Sequence, residues 1–227
     1  MSRFFTIATI AAALALGPAL ASTAAHAKGN PKNNEQNAML DLLDLQLQFL
    51  EDQHTKIVFA SSAKPNGDLM TAGGGATGLE GADNICTDLA VAAGLPGTYT
   101  AFLSDDNTDA RDRVTQFPFN YELVDGTSIA DSFADLIDCT EGAGTNECLD
   151  FSIRRDEDGF LASNSAAWTA TATDGTRLGP HNCLNWTSSD SAQFGRSGNT
   201  NDIVAKWVDD QNRRCDVTVV RLYCFQD

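Results

Sequence analysis

Apolar residues recur along this chain with two different periods, and each period predicts a different kind of element. In the stretch MLDLLDLQLQFLEDQ, Leu40, Leu43, Leu47 and Leu50 fall on one seam, with Asp and Gln on the opposite side. This spacing predicts an amphipathic helix over residues 38–55. Two heptads are too few for a stable coiled coil, so the apolar face is expected to pack on its own domain or to contact a second molecule.

The stretch TGLEGADNICTDLAVAAGLPG carries the strongest helix signal in the chain. Thr77 and Glu80 have the spacing of a capping box at the helix start. Gly94 suits the position after the last turn, and Pro96 prevents the helix from continuing. The apolar stripe of this helix consists of Ala82, Ile85, Cys86, Leu89 and Ala93. The stripe predicts that the Cys86 side chain faces the core.

Several stretches have the β-branched and aromatic content that favours strands. They are KIVFASS, TYTAFLS and WTATATDGT, and the chain closes with a further run at Val217–Val220, extended by Leu222 and Tyr223. Cys215 and Cys224 bracket this last run. In a continuous strand they would lie about 30 Å apart, at about 3.3 Å per residue, so they cannot bond each other.

The first 27 residues have the pattern of a secretory signal peptide. Arg3 precedes an apolar run from Phe4 to Leu20, and Ala25-His26-Ala27 matches a cleavage site. We therefore expect cleavage near Ala27 and a mature chain that is secreted, periplasmic or at the cell surface. The apolar run is too short for a transmembrane segment. The polar residues 28–37 are predicted to form a linker.

The net charge of the chain is −16, with 31 acidic and 15 basic side chains. Such a surface repels phosphate and sulfate groups. Nucleic acid and heparin-like polyanions are therefore not expected as partners.

All six cysteines lie after the predicted cleavage site, at positions 86, 139, 148, 183, 215 and 224. An even number of cysteines in an exported chain predicts three disulfides, although counting does not select the pairing. Cys139 and Cys148 flank the short polar stretch TEGAGTNE, so a local bridge is the simplest pairing there. The spacing lacks the C-x-x-C pattern of a metal site.

The motifs GLEGADNIC, DGTSIADSF, AAWTATATDGT, NCLNWTSS and RLYCFQD occur in this order. The series resembles the endostatin-type branch of the C-type-lectin-like fold, and is most similar to bacterial exported domains of that branch whose functions are largely undefined. The resemblance covers residues 56–227. It implies an α+β, C-type-lectin-like (endostatin-like) disulfide-bridged domain with a mixed antiparallel sheet and one or two helices. It also implies the bridges Cys86–Cys224 and Cys183–Cys215, with the final strand beside KIVFASS.

The same resemblance bears on calcium. Sugar-binding members of the C-type-lectin family hold Ca²⁺ with a Glu-Pro-Asn or Gln-Pro-Asp tripeptide and a later Trp-Asn-Asp. Here the corresponding residues are Gly179-Pro180-His181 and Trp207-Val208-Asp209. The acidic stretch DDNTDARDR also lacks the glycine and the glutamate of a calcium loop. No cofactor and no metal site are therefore predicted.

Catalysis is not expected either. Of the three histidines, only His54 and His181 follow the predicted cleavage site, and no G-x-S-x-G motif is present. A hydrolase needs a nucleophile beside a positioned base, and this chain offers no such spacing. The protein is therefore predicted not to be an enzyme.

The stretch between Cys183 and Cys215 is rich in Ser, Asn and Gly, which predicts a long surface loop closed by a bridge at its base. We hypothesise that this loop carries recognition, with Trp186 or Trp207 as anchor, although the sequence leaves open whether either ring is exposed or buried. Trp168 is expected in the core. The candidate ligand-binding residues are Trp186, Asn199, Asn201, Asp202, Trp207 and Asp209.

These observations favour an exported, non-catalytic binding module that recognises an extracellular protein or glycan without the usual lectin calcium site. The alternative is a structural or self-assembling cell-surface protein. In that case oligomerisation would use the helical residues 38–53.

Overall fold

The computed structural model describes residues 37–43, 55–139, 147–162 and 165–227. The chain divides into one unit up to Phe49 and a second from Leu50 to Asp227. In the first unit, residues 37–43 form helix α1. The predicted signal peptide, residues 28–36 of the predicted linker and residues 44–54 of the predicted helix lie outside the described residues.

Within the described part of the second unit, eight strands form one mixed sheet. The strands are β1 (Thr55–Ala60), β2 (Tyr99–Ala101), β3 (Asn120–Leu123), β4 (Ser128–Ala130), β5 (Ala166–Trp168), β6 (Phe194–Asn199), β7 (Gln211–Arg214) and β8 (Val220–Gln226). Their spatial order is β4-β3-β1-β8-β5-β6-β7, and β2 also pairs with β8. Because Thr55 belongs to β1, the predicted helix over residues 38–55 does not reach its predicted last residue.

Strand β8 lies at the centre of the sheet. It pairs antiparallel with β1 and β2 and parallel with β5, while β1 pairs parallel with β3. All residues of β8 except Gln226 are buried. The α+β class with a mixed sheet is thus confirmed, and the final strand lies beside the first one, as expected.

The final strand starts later than the sequence predicts. Val217–Val219 precede β8, and the side chain of Val219 is exposed. The chain turns at Cys215 and Asp216, and the N–H of Val217 donates to the carbonyl of Arg214 at 3.4 Å. Cys215 therefore belongs to a turn rather than to the strand that contains Cys224.

Three helices of the second unit are α2 (Leu69–Ala72), α3 (Gly78–Ala93) and α4 (Phe133–Leu136). The predicted caps of α3 are confirmed. Thr77 Oγ1 accepts from the N–H of Glu80 at 3.1 Å, and Gly94 ends the helix with φ of 74°. The Glu80 carboxylate accepts from the N–H of Ala76 at 2.8 Å, one residue before the partner expected in a capping box.

The two faces of the sheet carry separate hydrophobic cores because side chains alternate along each strand. In β1, Val58 and Ala60 pack into one core and Phe59 into the other. Helix α3 covers the Phe59 side with Ala82, Cys86 and Ala90. Trp168 is fully buried in that same core, as the sequence predicts.

An ion pair between Asp83 of α3 and Arg113 helps to hold the helix against the sheet. Arg113 donates to both carboxylate oxygens of Asp83 at 2.7 Å, and Asp83 also accepts from the N–H of Ala101 at 2.9 Å. Burial raises the pKa of the Asp83 carboxyl above its ordinary value, although the charge of Arg113 counteracts this effect. The pair fixes the helix that supports the surface described below.

All three predicted disulfides are confirmed. Cys86–Cys224 joins α3 to β8 across 138 residues, Cys183–Cys215 spans 32 residues, and Cys139–Cys148 spans 9. Cys86, Cys183, Cys215 and Cys224 have no exposed surface.

Candidate functional site

Residues Cys183–Trp186 form one turn of left-handed helix, with φ values of 51°, 56°, 57° and 62°. We call this segment the left-handed turn. None of the four residues is glycine, and for other L-residues this conformation costs roughly 1–2 kcal/mol per residue. Backbone of this kind persists only where the surrounding structure holds it in place.

The first and last residues of the left-handed turn are fixed inside the protein. Cys183 is bonded to Cys215. Trp186 is fully buried, and its indole N–H donates to the carbonyl of Ser104 at 2.8 Å. Its ring packs against Trp168 with the ring centroids 5.6 Å apart. A disulfide bond therefore fixes the first residue of the turn, and a buried, hydrogen-bonded side chain fixes the last.

A network of amides and one carboxylate fixes the turn from outside. Asn182 Oδ1 accepts from the N–H of Asn185 at 3.0 Å, and Asn182 Nδ2 donates to Asp106 Oδ1 at 2.8 Å. The N–H of Asp106 in turn donates to Asn185 Oδ1 at 2.9 Å. Because these bonds connect residues 106 and 182–185, the acidic loop after β2 braces the turn.

Helix α3 approaches the left-handed turn at Gly78, its first residue. A Cβ atom at position 78 would lie 2.3 Å from the carbonyl oxygen of Asn185 and 2.4 Å from Cβ of Trp186. Both distances are far below van der Waals contact. Glycine is therefore required at this position to seat the helix against the turn.

On its outer side the left-handed turn presents an apolar residue to solvent. The Leu184 side chain is 55 % exposed, although Cys183 before it and Trp186 two residues after it are buried. A backbone bridge joins Asn182 to Gly195 and so brings β6 beside the turn. Phe194 at the start of β6 is 41 % exposed, and its ring lies edge-on to that of the exposed His181 at 6.4 Å.

We call His181, Leu184 and Phe194 the turn surface. Two exposed carboxylates lie near it: Asp190 stands between Leu184 and Phe194 in the chain, and Asp106 is held beside the turn by its hydrogen bonds with Asn182 and Asn185. Three guanidinium groups lie nearby on β6 and β7: Arg196 is paired with Asp209, Arg214 opposite Phe194 is paired with Asp216, and Arg213 donates to Ser197 Oγ. The turn surface thus combines two exposed apolar side chains, Leu184 and Phe194, with the His181 ring, and Asp106 and Asp190 form an acidic rim beside it.

Two of the predicted binding residues lie elsewhere than expected. Trp186 is fully buried and Trp207 is 1 % exposed, so neither offers a face to a ligand in this structure. Trp207 packs between Phe102 and Tyr223, with centroid distances of 5.4 and 5.7 Å. The hypothesis of a tryptophan anchor is therefore wrong for both residues, because their rings belong to the two cores.

The four polar residues predicted to bind ligand are partly exposed. Two of them shape the backbone of the loop: Asn199 Oδ1 accepts from the N–H of Asn201, and Asp202 Oδ1 accepts from the N–H of Val204, each at 3.0 Å. Asp209 is engaged by Arg196. A role of Asn199, Asn201, Asp202 and Asp209 in ligand binding stays a prediction.

The acidic stretch after β2 has a structural use for its carboxylates. Asp105 Oδ1 accepts from the N–H groups of Asn107 and Thr108, both at 2.8 Å. Asp109 accepts from the N–H of Arg177 at 3.0 Å. Among the described residues there is no group of three or more His, Cys, Asp or Glu side chains placed to hold a metal ion.

We expect the stability of the protein not to depend on calcium, because these carboxylates already accept hydrogen bonds within the protein. Thermal melts recorded with EDTA and with millimolar Ca²⁺ should have coincident midpoints. A midpoint that rises by several degrees in Ca²⁺ would contradict this expectation, because such a rise requires a site that binds the folded state.

A cleft of about 400 Å³ lies at the edge of β1 and β3. Gln226 bridges it, since its Oε1 accepts from the N–H of Ile57 at 3.0 Å and its Nε2 donates to the carbonyl of Pro96 at 3.0 Å. Among the described residues that line the cleft, Glu122 is the single ionisable one.

No protein-family model matches the chain, and no curated protein is significantly similar to it. Within residues 37–43, 55–139, 147–162 and 165–227, no helix has the length and hydrophobicity needed to cross a membrane.

Sequence reasoning missed Leu184 and Phe194 as candidate contact residues. The motif NCLNW contained one signal, since asparagine tolerates the left-handed conformation better than most residues and two asparagines flank Leu184 closely. Nothing in the local pattern distinguishes the buried tryptophan of this motif from the exposed leucine.

Proposed function

We propose that the protein is an exported, non-catalytic binding module that recognises an extracellular protein partner through the turn surface. One observation carries the proposal: a costly left-handed turn keeps Leu184 exposed while both ends of the turn are fixed in the core. Strained backbone that is rigidly held concentrates at functional sites. A preorganised surface also loses little conformational entropy when it binds.

The chemistry of the turn surface favours a protein over a glycan. Glycan recognition commonly uses an exposed aromatic platform, and the tryptophans of this region are buried. Exposed leucine and phenylalanine side chains instead suit an apolar pocket on a protein. Given the acidic rim and the net charge of −16, the pocket of the partner should have a basic border.

The proposal also includes the C-type-lectin-like, endostatin-like fold. Its support is the agreement between the bridges that the resemblance implies, Cys86–Cys224 and Cys183–Cys215, and the bridges in the structure. Export is supported by the three disulfides, because such bonds persist in oxidising compartments.

The test is an array of purified extracellular proteins, with a glycan array beside it, followed by affinity measurements on Leu184→Asn. Asparagine fits the left-handed conformation at least as well as leucine, so the melting temperature should not fall. Affinity for a protein partner should fall at least tenfold, as for other central apolar anchors. Val91→Asn, at a valine that is 66 % exposed on α3, is the matched control and should bind as the wild type does.

Two outcomes would contradict the proposal. In the first, Leu184→Asn and Phe194→Ser both keep wild-type affinity for the partner found, which would place recognition elsewhere. In the second, the glycan array gives the only ligands, which would favour the polar residues Asn199, Asn201 and Asp202 as contacts.

One observation favours a self-assembling surface protein as a second candidate. Four large apolar side chains of α1 are exposed: Met39 by 67 %, Leu40 by 63 %, Leu42 by 57 % and Leu43 by 48 %. If α1 mediates assembly, Leu40→Glu/Leu43→Glu should convert an oligomer to a monomer in size-exclusion chromatography. An unchanged elution volume would remove this candidate.

A further inference from the structure

The cleft beside β1 and β3 combines an aliphatic floor with a carboxylate. Ile57 lies opposite Glu122 in the parallel ladder of these strands, so the two side chains point to the same face of the sheet. Ile57 and Val124 are partly buried and pack against the core that α3 covers. Pro96 and Gln226 also line the cleft. A ligand in the cleft would therefore contact both aliphatic carbon and a negative charge.

A relay of side chains holds the Glu122 carboxylate in place through one of its two oxygens. Ser128 Oγ donates to Asn120 Oδ1 at 2.7 Å, and Asn120 Nδ2 donates to Glu122 Oε1 at 2.6 Å. Among the described residues, no side chain donates to the second oxygen, Oε2. An ionised carboxylate accepts at both oxygens, with about four lone-pair positions in total. Oε2 can therefore accept from a donor that a ligand supplies.

The Glu122 carboxylate has no counter-ion within the described part of the chain. Lys56 of β1 points to the opposite face of the sheet, where its ammonium donates to the carbonyl of Asp227 at 2.7 Å. Arg155 is paired with Asp125 at 2.9 Å. Opposite charges attract more strongly beside apolar groups than in open water. The cleft therefore favours a ligand with a positive charge.

We propose that this cleft binds a primary ammonium group on an aliphatic stem. The ammonium donates to Glu122 Oε2, and the stem lies along Ile57 and Val124. The cleft volume of about 400 Å³ is within the range of small-molecule sites, which is about 300–1,000 Å³. The proposal does not rest on the function assigned to the turn surface.

The chemistry of the cleft selects a primary ammonium among the organic cations. A guanidinium binds best as a fork across both oxygens of a carboxylate, and here Asn120 already occupies Oε1 of Glu122. Quaternary ammonium groups are held by aromatic faces, and the described lining of the cleft has no aromatic residue. An ammonium is a compact charge that a single oxygen can bind. Two sources offer it on an aliphatic stem: a free alkylamine and the lysine side chain of a peptide.

The test is a titration of the full, isotope-labelled chain with n-pentylammonium chloride, followed by NMR chemical shifts. Binding should be saturable, with a dissociation constant in the millimolar range and shifts at Ile57, Glu122, Val124 and Gln226. Two ligands with the same stem serve as controls. Pentanol lacks the charge and pentanoate has the opposite charge, so both should bind at least tenfold more weakly than n-pentylammonium.

Glu122→Gln should weaken the binding of n-pentylammonium at least tenfold. Glutamine removes the charge but keeps an oxygen that can accept from Asn120, so the cleft should retain its shape. Asp88→Asn is the matched control, because it removes an equal charge at an exposed position of α3 and should bind as the wild type does.

A second ligand, N-acetyl-lysine N-methylamide, distinguishes the two sources of the ammonium. Affinity at least equal to that of n-pentylammonium assigns the cleft to lysine side chains of peptides, and at least tenfold weaker binding assigns it to free alkylamines. Three results would overturn the proposal: no saturable shifts at the cleft residues, equal affinity for pentanol, or wild-type affinity in Glu122→Gln. If Glu122→Gln does not melt cooperatively, the comparison with pentanol on the wild-type chain decides.

Discussion

Removal of the Cys86–Cys224 bridge by the double variant Cys86→Ala/Cys224→Ala should lower the free energy of unfolding by about 5 kcal/mol. This value follows from loop-closure entropy for a separation of 138 residues. It approaches the whole stability of an ordinary domain, which is about 5–15 kcal/mol. The variant should therefore be largely unfolded at physiological temperature, as measured by urea denaturation followed by circular dichroism.

Cys139→Ala/Cys148→Ala is the matched control, because it removes one bridge with a separation of only 9 residues. The same model gives a loss of about 2.5 kcal/mol for this bridge. Equal losses in the two variants would show that loop length does not govern the stabilisation.

Trp186→Ala should have the second largest effect, a loss of about 3–5 kcal/mol in the free energy of unfolding, because it empties a large buried site. It should also release the left-handed turn, since the indole anchors that turn to Ser104 and Trp168. Chemical denaturation gives the stability, and hydrogen exchange at residues 183–187 reports the release of the turn. Stability and protection equal to the wild type would contradict this account.

A pair of conservative variants separates the hydrogen bond of Trp186 from its packing. Trp186 and Trp207 are both buried, but the described residues offer no acceptor to the indole N–H of Trp207. Phenylalanine keeps most of the packing at either site. Trp186→Phe leaves the Ser104 carbonyl without its donor, which costs about 1–3 kcal/mol for a buried group. Trp186→Phe should therefore be more destabilising than Trp207→Phe, and the reverse order would be inconsistent with the Ser104 bond.

Local signals in the sequence predicted the parts of the fold that local forces determine. The caps of α3 at Thr77 and Gly94 depend on contacts within a few residues, and the stripe that turns Cys86 inward depends on helix geometry alone. The long-range disulfide bridges could not be predicted from local signals. The pairing of Cys86 with Cys224 came from the resemblance of the motifs, because the number and spacing of cysteines leave the pairing open.

The left-handed turn could not be predicted because its causes are remote in sequence. Leu184 and Trp186 have no intrinsic preference for positive φ. The turn exists because Cys215, Asp106 and Ser104 hold it, and these residues lie about 30 to 80 positions away, as the separations of the contacts show. Which side chain of the motif faces solvent therefore depends on tertiary structure.

The polar composition between Cys183 and Cys215 predicted a loop, yet this stretch contributes β6 and β7 to the sheet. The strands form in spite of this polar composition because small residues are required where β6 meets bulky neighbours. A Cβ atom at Gly195 would lie 2.7 Å from the Trp168 ring, and one at Gly198 would lie 1.8 Å from the carbonyl oxygen of Trp207. Strand β6 contains glycine because two tryptophan residues approach its backbone closely. A hydrophobicity pattern does not predict such a close approach.

The central position of β8 determines when the protein can fold during its own synthesis. A ribosome delivers β1, β2 and β5 long before residues 220–226, and these three strands then lack the neighbour that joins them. The sheet of the nascent chain therefore lacks its central strand until late in synthesis. Oxidation of Cys86 by Cys224 must wait for the same seven residues. For the exported protein proposed above, this order would defer folding until after transport, in a compartment where thiols can be oxidised.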